Sequence, residues 1–329
     1  MQIDLRGFVR SAEDIVASHA LGGGAYRRWN RTDEGTNPYG CADAANILYT
    51  IGRFPRDPAE RAGWITSLQS LQDPSTGLFE EATHHPIHTT AHCVAALELF
   101  DARPARKLVQ LASLTAIPAM RDFLADLNCA ADPWRASHQG AGLFAALVIV
   151  EDVDADWQSA YFEWLDAHTD SRTGLFGGQH VRPVEHSGVA SLVPHMAGSF
   201  HYLFNMQWAR WPLCYPERMI DTCLHMLAED KYPLGRRVSF AEIDWIYCVN
   251  RALRQCSHRF ADARAAIERL GRRLADFLLA LDPATDEGLN DLHLLFGTLC
   301  ALAELQQALP GLVRTDRPLK LVLDRRPFI

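Results

Sequence analysis

Apolar and polar positions follow two helical patterns along this chain, and almost nowhere the period of two that marks a strand. Six runs are rich in Ala, Leu and aromatic residues and nearly free of charge after their first turn: "CADAANILYTIG" from Cys41, "HTTAHCVAALELF" from His88, "HQGAGLFAALVIV" from His138, "HMAGSFHYLFNM" from His195, "AEIDWIYCVNRAL" from Ala241 and "NDLHLLFGTLCALAEL" from Asn290. Runs of this kind predict helices buried on every side. Between them stand segments such as "DPAERAGWITSLQSLQ", "DADWQSAYFEWLDAH", "YPERMIDTCLHMLAED" and "ADARAAIERLGRRLADFLLAL", and before them "RGFVRSAEDIVASHA". These carry apolar residues on one stripe with charges opposite, the pattern of an outer helix. Prolines at Pro55, Pro74, Pro104, Pro133, Pro216 and Pro283 punctuate the boundaries. Only the tail "KLVLDRRPFI" hints at β-alternation.

Six buried helices alternating with six amphipathic ones describe a closed double ring. The expectation is an all-α chain forming a single (α/α)6 toroid domain over residues 1–329. An open solenoid would need polar capping repeats that the sequence lacks.

One turn recurs with variations: "LQDPSTGLFEE" from Leu71, "TDSRTGLFGG" from Thr169 and, more loosely, "LDPATDEGLN" from Leu281. In each, an outer helix ends, an Asp makes a turn, and Gly77, Gly174 or Gly288 supplies a left-handed or close-approach position. The fuller stretch "WITSLQSLQDPSTGLFEE…HTTAHCVAALELF" resembles the repeat of the protein prenyltransferase β-subunits and squalene-hopene-type cyclases, in which Gln, Asp, Gly and Phe recur before an inner helix. That resemblance implies the double-ring fold. It also implies a zinc site, because the prenyltransferases take Asp and Cys from the fifth inner helix and His from the sixth; here the matching residues are Asp244, Cys248 and His293. The family spacing is Asp-x-Cys, whereas this pair is four residues apart. Neither the Asp-x-Asp-Asp proton donor of the cyclases nor an Asp-Asp-x-x-Asp motif occurs.

Composition narrows the partners. Of 329 residues nearly half are hydrophobic and the formal charge is −8 with both signs interspersed, so neither nucleic acid nor an anionic membrane is an expected partner. Eight cysteines scattered without CxxC pairs fit reduced thiols. The start of the sequence has charges where a signal core would be apolar, and the expected location is cytoplasmic.

A ring of helices offers one concave place, the mouth at which the inner helices begin. Their first turns carry Asp43, His88 and His92, His138, His195 and His201, Asp244, and Asp291 with His293. An N-cap or a hydrogen-bonded core group is the ordinary explanation for any one of these, but six polar starts predict a shared titratable site. Loops leading there add Trp29, Trp134, Arg135, Arg182, Glu185 and His186, and the aromatic residues Trp208 and Trp245 sit on inner helices. Trp faces suit sugar rings and Arg forks suit carboxylate or sulfate.

Three classes of function follow. Double rings host carbohydrate hydrolases, lyases and epimerases. Inverting hydrolysis needs two carboxylates, for which Asp43, Asp244 and Asp291 are candidates; a lyase or epimerase needs a base such as His88, His201 or His293, and Arg would suit an anionic sugar. Substrate would be a small molecule or oligosaccharide, and no cofactor is required beyond the zinc that the resemblance implies. Isoprenoid chemistry is the second class, and a noncatalytic binding toroid the third. No nucleophile elbow, P-loop or dinucleotide fingerprint occurs.

Overall fold

A computed structural model describes residues 2–32, 34–186 and 188–327, and the side chain of His186 lies outside that description. The fold is all-α. Twelve α-helices run among the described residues: α1 Arg6–Ser18, α2 Pro38–Thr50, α3 Pro58–Ser70, α4 Pro86–Leu99, α5 Ile117–Ala125, α6 Pro133–Ile149, α7 Ala155–Ala167, α8 Val193–Ala209, α9 Pro216–Glu229, α10 Ala241–Leu253, α11 Phe260–Ala280 and α12 Leu292–Ala308. Strand structure is confined to two-stranded pairs, among them Ile3–Asp4 parallel to Val313–Arg314 and the hairpin Val184–His186 with Val189–Ser191. No helix of the described residues is long and apolar enough to cross a membrane.

The even-numbered helices are the charge-poor runs, and nearly all their residues are buried. Each packs on the next, α2 on α4, α4 on α6, α6 on α8, α8 on α10 and α10 on α12, and α12 packs back on α2. The odd-numbered helices bury one stripe only; α11, for example, buries Ala263, Ala266, Ile267, Leu270, Leu274 and Leu278, positions three and four apart. No quoted segment had supplied the outer helix between α4 and α6. A 3₁₀ turn at Val109–Thr115 and the short α5 fill that place.

Four of the inner helices, α2, α4, α6 and α8, begin earlier than their apolar runs. Proline at the first helical position of α2, α4 and α6 has no N–H to satisfy, and Asn37, His85 and Asp132 cap those ends. Asn37 Oδ1 accepts from Gly40 N at 3.1 Å, and Asp132 Oδ1 accepts from Arg135 N at 3.0 Å. Residues expected in the first turn, such as His92 and His138, therefore sit in the second.

Two of the recurrent turns are the same fastening. Asp73 N donates to Leu78 O at 2.8 Å and Asp170 N to Leu175 O at 2.9 Å, closing each loop at its neck. Asp73 Oδ1 accepts from the amides of Ser75 and Thr76, both at 2.8 Å, and these bonds with the two hydroxyls hold its carboxyl well below the usual range. The Phe amide that follows is handed to the next inner helix: Phe79 N donates to Thr90 Oγ1 and Phe176 N to Ser199 Oγ, each at 2.9 Å. Gly77 and Gly174 have φ of +76° and +71°, and a Cβ at Gly77 would stand 1.9 Å from Lys107 O. The third copy departs from this: Gly288 is absent from the left-handed positions, and its closeness to the Val238 side chain is what a Cβ would disturb.

The tail is not a strand. Val322–Asp324 form a 3₁₀ turn packed on α2 and α8 at the end opposite the inner-helix starts, with Val322 and Leu323 buried. Arg251 on α10 holds it there. Its guanidinium lies 2.7 Å from Glu304 Oε2 and 2.8 Å from Asp324 Oδ1, and it stacks over Tyr247. Arg326 Nη2 donates to Asn46 Oδ1 at 2.8 Å.

Two stability outcomes follow. Gly77→Ala combines left-handed strain, about 1–2 kcal/mol, with a backbone collision, whereas Gly311→Ala at φ +90° meets nothing within 4 Å. Urea unfolding should show a distinctly larger loss for Gly77→Ala; equal losses would refute the close-approach account. Glu304→Ala leaves the Arg251 charge buried with Asp324 alone, and should cost about 3–5 kcal/mol by the same measurement.

Candidate functional site

Residues of α4, α6, α8, α10 and α12, with Arg28 and the loop residues Thr83 and His84, surround a cavity of about 240 Å³. Its polar wall is made by Arg28, Thr83, His84, His88, His138, His201, Asp244 and His293. Its apolar wall includes Phe200, Phe204, Phe240, Ile243 and Leu294, and Leu323 of the tail lies at its far end. Trp134 stands at the rim, 41% exposed, with its ring 4.1 Å from that of His138.

The imidazoles form one continuous group. Ring centres lie 4.1 Å apart for His88 and His138, 5.0 Å for His138 and His201, 4.9 Å for His84 and His88, and 5.0 Å for His84 and His293. Tyr39 stacks on His84 at 4.3 Å and on His92 at 4.8 Å, and its hydroxyl bonds His88 Nδ1. Removing these groups from water disfavours their charged forms. Burial, then mutual repulsion, pushes His88 and His138 well below the ordinary histidine range, and pushes His201 down to about 3. His84 falls to about 4, burial outweighing the bond from Glu81.

One carboxylate holds two of the rings. Asp43 is wholly buried, with His92 Nε2 2.8 Å from Oδ1 and His293 Nδ1 3.2 Å from Oδ2. Burial alone would raise its pKa, but His293 and His92 outweigh burial and Asp43 stays ionised. Burial keeps His293 neutral even against this pull. A neutral ring donating from Nδ1 carries its lone pair on Nε2, so His293 is a base oriented by a carboxylate at the cavity wall.

Asp244 is the opposite case. Burial first and then the nearby Glu242 push its pKa well above the carboxylate range, and Oδ1 has no hydrogen-bond partner among the described residues. Burial thus favours the protonated form of Asp244, which lines the same cavity as the imidazole of His293, an arrangement able to give and take protons.

Arg28 reaches the cavity with its charge already engaged. Nε and Nη2 each donate to Asp291 at 2.8 Å, Nη1 donates to Thr83 Oγ1 at 2.6 Å, and Glu81 lies 3.6 Å away. Asp291 meanwhile caps α12 through His293 N at 2.9 Å. Glu81 would be raised by burial, yet bonds from His84 and Thr83 bring it down to about 2. Asp291 thus stands behind Arg28 rather than in the cavity wall, as Asp43 stands behind His293.

Other sequence candidates lie elsewhere. Trp208, near the end of α8, is 38% exposed beside Arg251 and Asp324 at the opposite end of the helices. Trp245 is fully buried with Nε1 donating to Cys223 O at 2.7 Å, facing α9. Arg135, Arg182 and Glu185 are exposed, Trp29 is half-buried under Arg28 at 4.5 Å, and His195 is buried against Gly177. The zinc set implied by the prenyltransferase resemblance does not assemble. Four residues advance a helix by about 400°, and the extra 40° and the added depth carry Cys248 to Cys223, whose thiol is its partner. Among the described residues, those that could hold a metal ion are His88, His138 and His201, and separately Asp43, His92 and His293, each group with ligand atoms within 4.8 Å of one another. Reading for inner-helix starts missed Tyr39, His84, Ser137 and Phe240; the doublet "HH" before Pro86 was the only signal for one of them.

No family model matches the chain, and no curated protein or solved structure matches it.

The neutral imidazoles make stability depend on acid. A histidine whose folded pKa is depressed contributes fully above its unfolded pKa near 6.5, and that contribution is lost as the pH falls from there towards the folded value. For His84 the window runs from 6.5 to about 4, and for His201 to about 3. Metal-stripped protein should lose roughly 1.4 kcal/mol per pH unit for each such ring below 6.5. Thermal unfolding at pH 8 to 5 checks this, and an unchanged Tm between pH 7 and 5 contradicts it.

Proposed function

We propose that the chain is a single-domain (α/α)6 toroid and that it is a carbohydrate-active enzyme of the epimerase type, moving a proton at a carbon beside a carbonyl. The cyclic order of inner-helix contacts, with an outer helix between each pair, supports the toroid. The observation that carries the chemistry is the meeting in one small cavity of His293, oriented by Asp43, with Asp244, whose carboxyl burial pushes towards the protonated form. His293 Nε2 removes the carbon-bound proton and Asp244 donates to the carbonyl oxygen, giving the enediol; a proton from solvent then returns to the carbon on its opposite face as Asp244 takes back the hydroxyl proton, and His293 releases its proton to solvent.

Two features choose among carbohydrate reactions. Inverting hydrolysis needs two carboxylates at the scissile bond, and of Asp43, Asp244 and Asp291 only Asp244 lines the cavity. A lyase acting on a uronate needs a cation to meet the acid group, and Arg28 is committed to Asp291, Thr83 and Glu81. A neutral sugar in its carbonyl form fits better, with Trp134 as a stacking face at the rim. A second reading, an apolar or isoprenoid ligand, draws on Phe200, Phe204, Phe240 and Leu294; against it, the cavity is small and five histidines, with Arg28, Thr83 and Asp244, make one wall polar.

Proton NMR of neutral aldoses and ketoses in deuterated water tests the proposal. One deuterium should enter at the carbon next to the carbonyl, and His293→Gln or Asp244→Asn should slow that exchange by about 10²–10⁴-fold. Exchange that survives both substitutions would overturn it.

A further inference from the structure

We propose that His88, His138 and His201, contributed by α4, α6 and α8, hold a divalent transition-metal ion, zinc being the best match, with a coordination position left open to the cavity.

The three rings come from successive inner helices, and one nitrogen from each converges to within 4.8 Å of the others. A tetrahedral ion with bonds of about 2.0–2.1 Å wants ligand nitrogens roughly 3.3 Å apart, a closure that side-chain rotation supplies. All three residues are buried, at 3%, 2% and 7% exposure, and all three line the cavity. A fourth, exchangeable ligand therefore has somewhere to enter, as in catalytic rather than structural sites.

On His201 a neighbour sets the tautomer in the sense a metal needs. Ser137 Oγ gives its only proton to Trp134 O at 2.6 Å, so its contact with His201 Nδ1 at 2.8 Å must be donated by the ring. His201 Nε2 then carries a lone pair. On His88, Nδ1 is engaged by the Tyr39 hydroxyl, and when the ring donates in that bond Nε2 is left with its lone pair for the cluster. Such outer partners orient ligating histidines and raise their basicity. His138 Nε2 has no hydrogen-bond partner among the described residues although it is wholly buried. A buried polar nitrogen left unpaired is costly, and coordination satisfies it.

Donor chemistry selects the ion. Three imidazoles with no carboxylate suit zinc, copper, nickel or iron and not calcium or magnesium. The other group is the weaker candidate, because Asp43 is already bonded to both His92 and His293.

The test is independent of any sugar chemistry, since it reads the metal alone. Metal-stripped protein is titrated with Zn²⁺ against a competing chelator, and with Co²⁺ followed by visible absorption. One ion per chain is expected, with intense tetrahedral Co²⁺ bands and no thiolate charge-transfer band. His138→Gln and His201→Gln should weaken Zn²⁺ binding more than 100-fold, and Ser137→Ala by about 10- to 100-fold. Should a variant fail to fold, the wild-type Co²⁺ spectrum and a Zn²⁺-dependent rise in Tm decide the matter. Absence of stoichiometric binding, binding undiminished in folded His138→Gln, or a thiolate band would each overturn the site.

Discussion

Taking imidazoles out of water is the constraint on which this structure turns. An imidazolium in a closed, apolar-backed space has neither solvent nor, in most of these positions, a counter-charge, so the stable form is the neutral ring. Five histidines, at 84, 88, 138, 201 and 293, meet inside the inner helices under that condition, with His92 packed among them. Asp43 is the exception that gives the cluster direction. It is an ionised carboxylate wholly inside, it accepts from two rings, and it thereby fixes which nitrogen of His293 faces the cavity.

The rest of the fold maintains that enclosure. Aspartate turns at 73 and 170 end outer helices and pass a Phe amide to Thr90 or Ser199 of the next inner helix, which sets the depth at which each inner helix begins. At the far end the tail, held by Arg251 between Glu304 and Asp324, lays Leu323 across the space the inner helices would otherwise leave open. The cavity is closed at one end and polar at the other because of those two devices, one local in sequence and one spanning from α10 to the tail.

How much of this the sequence shows depends on the range of the interaction. Helices buried on all sides announce themselves by composition, and all six inner helices were legible; so were the Gly77 and Gly174 turns, since a left-handed glycine after an Asp is a local signal. Side-chain placement across helices was not. Asp291 and Asp43 look alike in sequence, yet one is bound by Arg28 from 263 residues away and the other by His293 from 250. Cys248 looked close enough to Asp244 for a shared metal, but a helix rotates four residues past a full turn, and a thiol on α9 takes it. Proline at the first helical position of α2, α4 and α6 moved those starts, shifting candidate residues by two to five positions. His84 lies in a loop and gave no periodic signal at all.

The central claim is that the cluster is neutral, with His293 carrying its proton on Nδ1. Long-range ¹H–¹⁵N correlation spectra of the metal-stripped protein, recorded from pH 8 to 5, measure both tautomer and charge for each ring. The account predicts that His84, His88, His138 and His201 remain neutral at pH 5.5 and that His293 shows a protonated Nδ1 and a bare Nε2 at pH 7. Ordinary titration of these rings near pH 6.5, or a His293 protonated on Nε2 alone, would contradict it.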